Sequence, residues 1–198
     1  TLHNTLFPYT TLFRSRSATY FGISLDRERV RARLREAARP LDPGEVYKVR
    51  LTLAPDGALT VSTDAVGSEF GVLRLGLLEG AVRSNDRFRR HKTSRRRPLE
   101  DAYERARAGG YGDALLTNER GEITEATRWN LIARFGRSYL TPPPESGALP
   151  GVYLAALRSR TSRIRSAVLQ PEDLERADHL YVCNAVRGLR RAELTGRL

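Results

Sequence analysis

Between Asp113 and Leu140 the sequence breaks into four short segments, Asp113–Thr117, Ile123–Glu125, Asn130–Phe135 and Tyr139–Leu140, separated by turn residues. Segments this short and this closely punctuated read as strands, so the chain must be built around a sheet. Upstream, Val46–Leu53 alternates in side-chain character and is followed by Pro55-Asp56-Gly57 and then Leu59–Thr63, the pattern of a β-hairpin. Val72–Leu78, Ile164–Leu169 and a last segment, His179–Cys183, read as further strands. Helices fall between them. Asp26 can cap one that runs to about Arg39, with Val30, Leu34, Ala37 and Ala38 on one face and Pro40 at its end. A second, from about Leu99 to Ala108, stops at Gly109-Gly110, and shorter ones cover Gly151–Ser159 and Pro171–Arg176. Strands and helices mix without a βαβ rhythm, which predicts an α+β fold with a largely antiparallel or mixed sheet.

At 198 residues the chain is one large domain or two small ones. Arg83–Arg90, polar and poor in core residues, is the expected boundary, leaving a partial small N-terminal α/β domain over 16–86 and a larger domain over 87–198. Residues 1–15 (TLHNTLFPYTTLFRS) hold no acid and differ in composition from the rest of the chain. They are read as non-native read-through, the alternative being a native strand packed through Tyr9, Leu12 and Phe13. With no methionine anywhere, the expectation is a chain whose own start lies upstream.

Composition excludes more than it identifies. No apolar run approaches the roughly 20 residues of a membrane helix. The single cysteine, Cys183, rules out an internal disulfide and makes no zinc pattern with His3, His91 and His179, so no metal site is expected and the chain reads as cytoplasmic. The formal net charge of +11 suggests a nucleic-acid-binding module. Against that, Lys48 and Lys92 are the only lysines among 34 basic residues, and the arginines spread along the whole chain, as surface positions rich in Arg would. The densest runs are Arg87–Lys92 and Arg95–Arg97.

Three features carry chemistry. Lys92 is crowded by Arg90, His91, Arg95 and Arg96. Like charge disfavours its protonated form, and only a neutral amine attacks a carbonyl; one more solvated cation in a basic loop is the plainer reading. Glu125 closes the turn-strand Asn118–Glu125, and a carboxylate presented inward beside a lysine could keep a pyridine nitrogen protonated; a surface hairpin with an exposed acid fits as well. Leu149-Pro150-Gly151-Val152 opens a helix whose backbone amides could meet a phosphate, with Arg50 as a bidentate partner, although most such turns bind nothing.

Taken in order, Lys48-Val49-Arg50, His91-Lys92-Thr93, Asn118–Glu125 with Asn130, Thr141-Pro142-Pro143 through Gly151, and Asn184–Gly188 resemble the class IV pyridoxal-phosphate enzymes: branched-chain and D-amino-acid aminotransferases and 4-amino-4-deoxychorismate lyase. The resemblance runs from about Arg16 to the end of the chain. It implies an α+β, two-domain, D-amino-acid aminotransferase-like fold, N-terminally truncated, and pyridoxal 5'-phosphate as cofactor. Lys92 falls on the lysine that forms the Schiff base, Glu125 on the carboxylate facing the pyridine nitrogen, and Arg50 on the phosphate arginine. Gly151 and Val152 complete the phosphate cup, and Asn184 and Ala185 lie on the loop at the phosphate and substrate side.

Within the class, His91-Lys92-Thr93 followed by arginines, Ser17-Ala18 before Tyr20-Phe21-Gly22, and Asn184–Gly188 look most like the lyase. The forms fused behind aminodeoxychorismate synthase component I are the most similar. The resemblance then implies conversion of a small amino substrate, 4-amino-4-deoxychorismate, to 4-aminobenzoate and pyruvate for folate biosynthesis, in a homodimer, possible fusion to an upstream synthase domain included. A class IV aminotransferase is the alternative. Trp129 and Ser146 depart from the residues common at those places.

Overall fold

The computed structural model describes residues 15–67 and 71–198. The chain divides between Phe70 and Gly71 into two compact units. Almost all of the 1–15 stretch lies outside the described residues.

In the first unit, residues 15–20 form a helical turn (α1) and Arg27–Ala38 the helix α2. Asp26 caps α2 as its sequence position predicts: its carboxylate accepts from the amides of Glu28 at 2.8 Å and Arg29 at 3.2 Å. Strands β1 (Tyr47–Leu53) and β2 (Leu59–Ala65) pair antiparallel around the Pro55–Gly57 turn, where Gly57 takes a φ of 81°. Val30 and Leu34 of α2 pack on Leu51 of β1, with Leu25, Leu59 and Val61 around them. Ala37 and Ala38 lie outside that contact, Ala38 exposed.

The second unit holds an eight-stranded mixed sheet among the described residues, in the order β5-β4-β3-β10-β9-β6-β7-β8. Its strands are β3 (Leu73–Val82), β4 (Asp113–Asn118), β5 (Ile123–Ala126), β6 (Asn130–Phe135), β7 (Ser138–Thr141), β8 (Ile164–Ser166), β9 (His179–Asn184) and β10 (Gly188–Arg197). The pairs β3–β4, β3–β10 and β7–β8 are parallel and the others antiparallel. The Ile123 amide on edge strand β5 donates to the carbonyl of Leu169, just beyond edge strand β8, at 2.7 Å, so the sheet curls until its ends meet. Helices α3 (Arg97–Ala108), α4 (Val152–Arg158) and α5 (Pro171–Glu175) complete the unit.

Alternation along each strand divides the core in two. Leu75, Leu77, Leu115, Leu131 and Val182 turn to one side, where Leu169, Leu174 and Trp129 join them. Their neighbours turn to the other, Ala114 and Leu116 against Ala102 and Ala106 of α3, Ile132 and Cys183 against Leu154 of α4. Burial on both faces leaves every residue of β4 buried rather than every second one, the apolar Ala114–Leu116 flanked by buried Asp113, Thr117 and Asn118. Cys183, fully buried, has its thiol pushed up to about 12 by desolvation. Trp129, 6% exposed, fills the main core.

Two sequence expectations change. The boundary falls at 70/71 rather than 86/87, because β3 lies between β4 and β10 and takes residues 71–86 into the larger unit. The predicted last strand, β9, is followed by β10, which joins β9 to β3 near the middle of the sheet. The inward positions of β10 are Gly188, Arg190, Ala192, Leu194 and Gly196, too small or too polar to register as a buried strand. Gly196 passes so close to Tyr111 that an added Cβ would lie 2.2 Å from the phenol oxygen.

Candidate active site

In the second unit the main chain before α3 makes a 3-10 turn, Arg87–Arg90, capped by Asp86, whose carboxylate accepts from the Phe88 amide at 2.9 Å. The turn leaves Arg87 and Arg90 in solvent and turns Phe88 and Arg89 inward. Guanidinium groups of Arg87 and Arg95 lie over the Phe88 ring, at 5.1 and 4.6 Å from its centroid. Arg89 reaches the carboxylate of Glu125 at the end of β5: Nη2 donates to Oε1 at 2.9 Å, and the two side chains are only 8% and 9% exposed. Its Nε donates to the carbonyl of Gly147 at 2.9 Å.

The second carboxylate oxygen of Glu125 accepts from Asn130 Nδ2 at 3.3 Å, and the same amide donates to the Leu149 carbonyl at 2.7 Å. Arg96, at the start of α3, donates to the Thr127 carbonyl at 2.8 Å. Burial pushes the Glu125 carboxyl up from its ordinary value. The opposing influences are the Arg89 charge, a hydrogen bond from the Leu149 backbone, and the charges of Arg96 and Lys92. Burial likewise lowers Arg96, against the pull of Glu125 and Glu100, and lowers His91, aided by Arg90.

A cavity of about 360 Å³ opens beside this cluster, with Arg83, Arg89, His91, Arg95, Arg96 and Glu125 on its wall. His91 and Thr93 also line it, and Lys92 between them is exposed. Gly151 caps α4 and sits against Asn130: a Cβ added there would lie 1.8 Å from Oδ1. Val152 is the first residue of α4.

Of the sequence-predicted residues, the structure therefore gathers Glu125 and Gly151 around Asn130, with Lys92 near enough to act on Glu125 by charge. Asn184 is used differently. Its Oδ1 accepts from the amides of Val186 and Arg187 at 2.9 and 2.8 Å, and its Nδ2 donates to the Arg128 carbonyl at 3.2 Å. It shapes the β9–β10 turn and ties it to the β5–β6 turn, leaving Ala185 exposed. Arg50 stands exposed on β1 of the first unit, opposite Ser62.

Sequence reasoning missed Arg89 and Arg96, both counted there as surface charge. Glu125 is correspondingly not the exposed acid of a surface hairpin. The rest of the Asn118–Glu125 motif is a structural clamp. Arg120 forks onto Glu122 at 2.8 and 2.7 Å and reaches Ser84 Oγ at 2.5 Å, while Ser84 donates through Oγ and its amide to Glu119 at 2.6 and 2.9 Å. Asn118 and Ser146 both donate to Glu122 at 2.8 Å, so Ser146 is a buried partner of this turn. These bonds hold the Glu119 and Glu122 carboxyls down to about 2.

The sequence matches the family Amino-transferase class IV over residues 15–194. No curated protein is significantly similar to it. Among solved structures, a candidate amino-acid aminotransferase from Mesorhizobium loti is 32% identical with a TM-score of 0.88, the match covering 96% of this chain and 92% of that one. A candidate 4-amino-4-deoxychorismate lyase from Legionella pneumophila is 22% identical with a TM-score of 0.83, over 96% of this chain and 77% of that one. The branched-chain aminotransferase of Thermoproteus uzoniensis shares the fold at 20% identity and a TM-score of 0.77, over 95% and 71% of the two chains. No helix among the described residues is long and apolar enough to cross a membrane. A buried, cation-paired carboxylate facing the loop of the one lysine in the second unit suits the cofactor chemistry that the motifs imply, and the chain belongs to the class IV aminotransferase family of pyridoxal-phosphate-dependent enzymes.

Proposed function

We propose that the chain is a lyase of this family that takes 4-amino-4-deoxychorismate to 4-aminobenzoate and pyruvate. The observation that carries the reading is the charge of the cavity beside the Lys92 loop. Four arginines, Arg83, Arg89, Arg95 and Arg96, line it against two acids. Asp86 is engaged in capping the 3-10 turn and Glu125 is paired with Arg89, so the net balance is positive. A substrate with two carboxylates suits such a wall; the apolar side chain of a branched-chain amino acid does not.

The residues present fit the cofactor. Glu125 is a buried carboxylate whose oxygens take hydrogen bonds from Arg89 and Asn130, leaving lone pairs to accept from a pyridine N–H. Gly151 lacks the Cβ that would strike Asn130, and the backbone of Gly151 and Val152 would receive the cofactor phosphate. Pyridoxal phosphate, when bound, supplies an electron sink at the reacting carbon. Lys92 Nζ would hold the cofactor by its aldehyde carbon and, as a free amine, would take the proton from the ring carbon bearing the substrate nitrogen and return it to the departing enolpyruvyl group. Glu125 keeps a negative charge at the pyridine end, oriented by Asn130 and Arg89. Loss of the enolpyruvyl group as pyruvate makes the ring aromatic, so the chain has little to add beyond base, charge and orientation. A homodimer, checked by sedimentation velocity, goes with this reading.

A second reading, an aminotransferase, is favoured by the name of the 32% identical Mesorhizobium loti chain. Turnover of 4-amino-4-deoxychorismate without any 2-oxo acid, read as pyruvate by a coupled dehydrogenase and as 4-aminobenzoate by fluorescence, separates the two. Pyruvate in equal amount to 4-aminobenzoate supports the lyase; turnover that waits for a 2-oxo acid acceptor overturns it. Borohydride reduction with the cofactor, followed by peptide mass spectrometry, should place the adduct on Lys92 and leave Lys48 unmodified.

A further inference from the structure

The arginine-rich run before Lys92 contains one side chain that solvent does not explain. Arg89 is 8% exposed, in the interior beside a carboxylate that is 9% exposed, and its guanidinium is fixed from two directions. Nη2 donates to Glu125 Oε1 and Nε to the Gly147 carbonyl, each at 2.9 Å. Gly147 is itself held: it has a φ of 98°, and a Cβ there would lie 3.2 Å from the Ser84 backbone, so the carbonyl that receives Arg89 belongs to a turn with no slack.

We infer that Arg89 is a positioning residue that locks one oxygen of Glu125 and holds the carboxylate in its negative form, leaving the other oxygen to the cofactor's ring nitrogen. The inference rests on the assignment of Glu125 to that nitrogen. The charged groups facing Glu125 are Arg89 from the 3-10 turn, Lys92 from the loop after it and Arg96 from the start of α3. Asn130 of β6 and the Leu149 backbone, the remaining neighbours, carry no charge. Arg89 donates a hydrogen bond to the carboxylate, and among the influences that oppose its burial it is the largest. A buried carboxylate without a paired cation takes up a proton, and a protonated Glu125 no longer stabilises a pyridinium. Lys92 cannot replace Arg89 in this task, because its amine is committed to the cofactor.

The test reads Glu125 directly. In protein without cofactor, carbon-13 carboxyl labelling of glutamate, with the Glu125 signal assigned by its absence in Glu125→Gln, follows that one titration. Arg89→Gln keeps a hydrogen-bond donor and much of the volume but removes the charge, and Arg89→Lys restores the charge without the fork. The Glu125 midpoint should move to higher pH in Arg89→Gln and return toward wild type in Arg89→Lys. A purely structural Arg89 would lower the melting temperature in both variants and leave the midpoint where it was; that result overturns the inference. Should Arg89→Gln not fold, Arg89→Met removes the same charge in its place: a Glu125 midpoint at higher pH than in Arg89→Lys supports the charge role, and equal midpoints in the two refute it. In the loaded protein, the nitrogen-15 shift of ring-labelled pyridoxal phosphate should move toward the unprotonated form in both Glu125→Gln and Arg89→Gln. A shift unmoved by Glu125→Gln removes Glu125 from the ring nitrogen, a failure of the underlying assignment distinct from a failed titration.

Discussion

Gly151→Ala tests the packing that joins the helix start to the buried carboxylate. The backbone there, φ −67° and ψ 140°, suits alanine, so the change brings no strain of its own and restricts the unfolded chain, worth about 0.4–1 kcal/mol of stability. Against this, the new Cβ would stand 1.8 Å from Asn130 Oδ1, and the amide must swing away. Swinging breaks its 2.7 Å bond to the Leu149 carbonyl and its 3.3 Å bond to Glu125. A lost neutral bond costs about 1 kcal/mol and a lost bond to a charged group about 1.5 kcal/mol, with a further penalty of roughly 1 kcal/mol for leaving buried acceptors unmet. The expected net loss is about 2–3 kcal/mol, or roughly 4–12 °C in Tm for a chain of this size. Urea unfolding of Gly151→Ala, Asn130→Ala and the double variant measures it as a cycle. With Asn130 already gone there is nothing to displace, so Gly151→Ala should then cost nothing and even regain the unfolded-chain term. An equal cost in both backgrounds refutes the mechanism, as does a wild-type cost near zero.

Three further outcomes rest on buried groups. The Asp113 carboxyl is raised by burial despite three hydrogen bonds from Ala114 and Thr127, and its Oδ2 has no hydrogen-bond partner among the described residues. The folded state thus holds that proton more tightly than the unfolded chain, so wild type should lose stability as pH rises above the ordinary carboxylate value, and Asp113→Asn should flatten that fall in urea midpoints. Glu122 has the opposite sign: held at about 2 against an ordinary 4.5, it contributes stability that is lost as pH falls through that interval, and Glu122→Gln should flatten the acid limb of a melting-temperature profile. Gly196→Ala drives a Cβ to 2.2 Å from the Tyr111 oxygen and should cost about 1–3 kcal/mol by calorimetry, with most of the cost relieved in Tyr111→Phe.

The fold was legible wherever a strand or helix carries its own signal. Asp26 before an amphipathic run, the Pro55–Gly57 turn, and the short apolar segments after Asp113 each correspond to an element within a few residues of the expected ends. What escaped was order and partnership. The strand β10 pairs with β3 across more than a hundred residues of sequence, and the close approach beside it depends on glycines: Gly196 of β10 lets Tyr111 in, and Gly76 of β3 lets in Tyr111 and Leu198. Nothing local in Gly188–Arg197 announces that, because apolar Leu189 lies outward and the inward positions include Gly188, Arg190, Ala192 and Gly196. The domain boundary failed for the same reason: a polar stretch at Arg83–Arg90 marks where backbone leaves the sheet, but β3, which precedes it, is committed to partners that come later in the chain.

The site was half legible, and the missing half has a definite physical form. An arginine side chain does not lose its proton in proteins, so one that is buried requires an anion, and a buried anion at neutral pH requires a cation. Placing Glu125 inward therefore already demands a buried cation beside it. Near Lys92 the sequence offers Arg87, Arg89, Arg90, Arg95, Arg96 and Arg97, and composition treats all of them as surface. The choice is made by Asp86. By capping the Phe88 amide it winds Arg87–Arg90 into a single 3-10 turn, which sends Phe88 and Arg89 inward together and leaves Arg87 and Arg90 outside. A short acidic cap three residues before the arginine thus decides which of the three arginines in that turn pairs with Glu125, Arg96 reaching the site separately from the start of α3. Asp86→Ala should consequently weaken the Arg89–Glu125 pair, although the bond Asp86 makes is to the Phe88 amide and not to either of them. The same carboxyl titration of Glu125 reads that effect, and an unchanged midpoint in a folded Asp86→Ala protein would show that the pair selects its own partner without the cap.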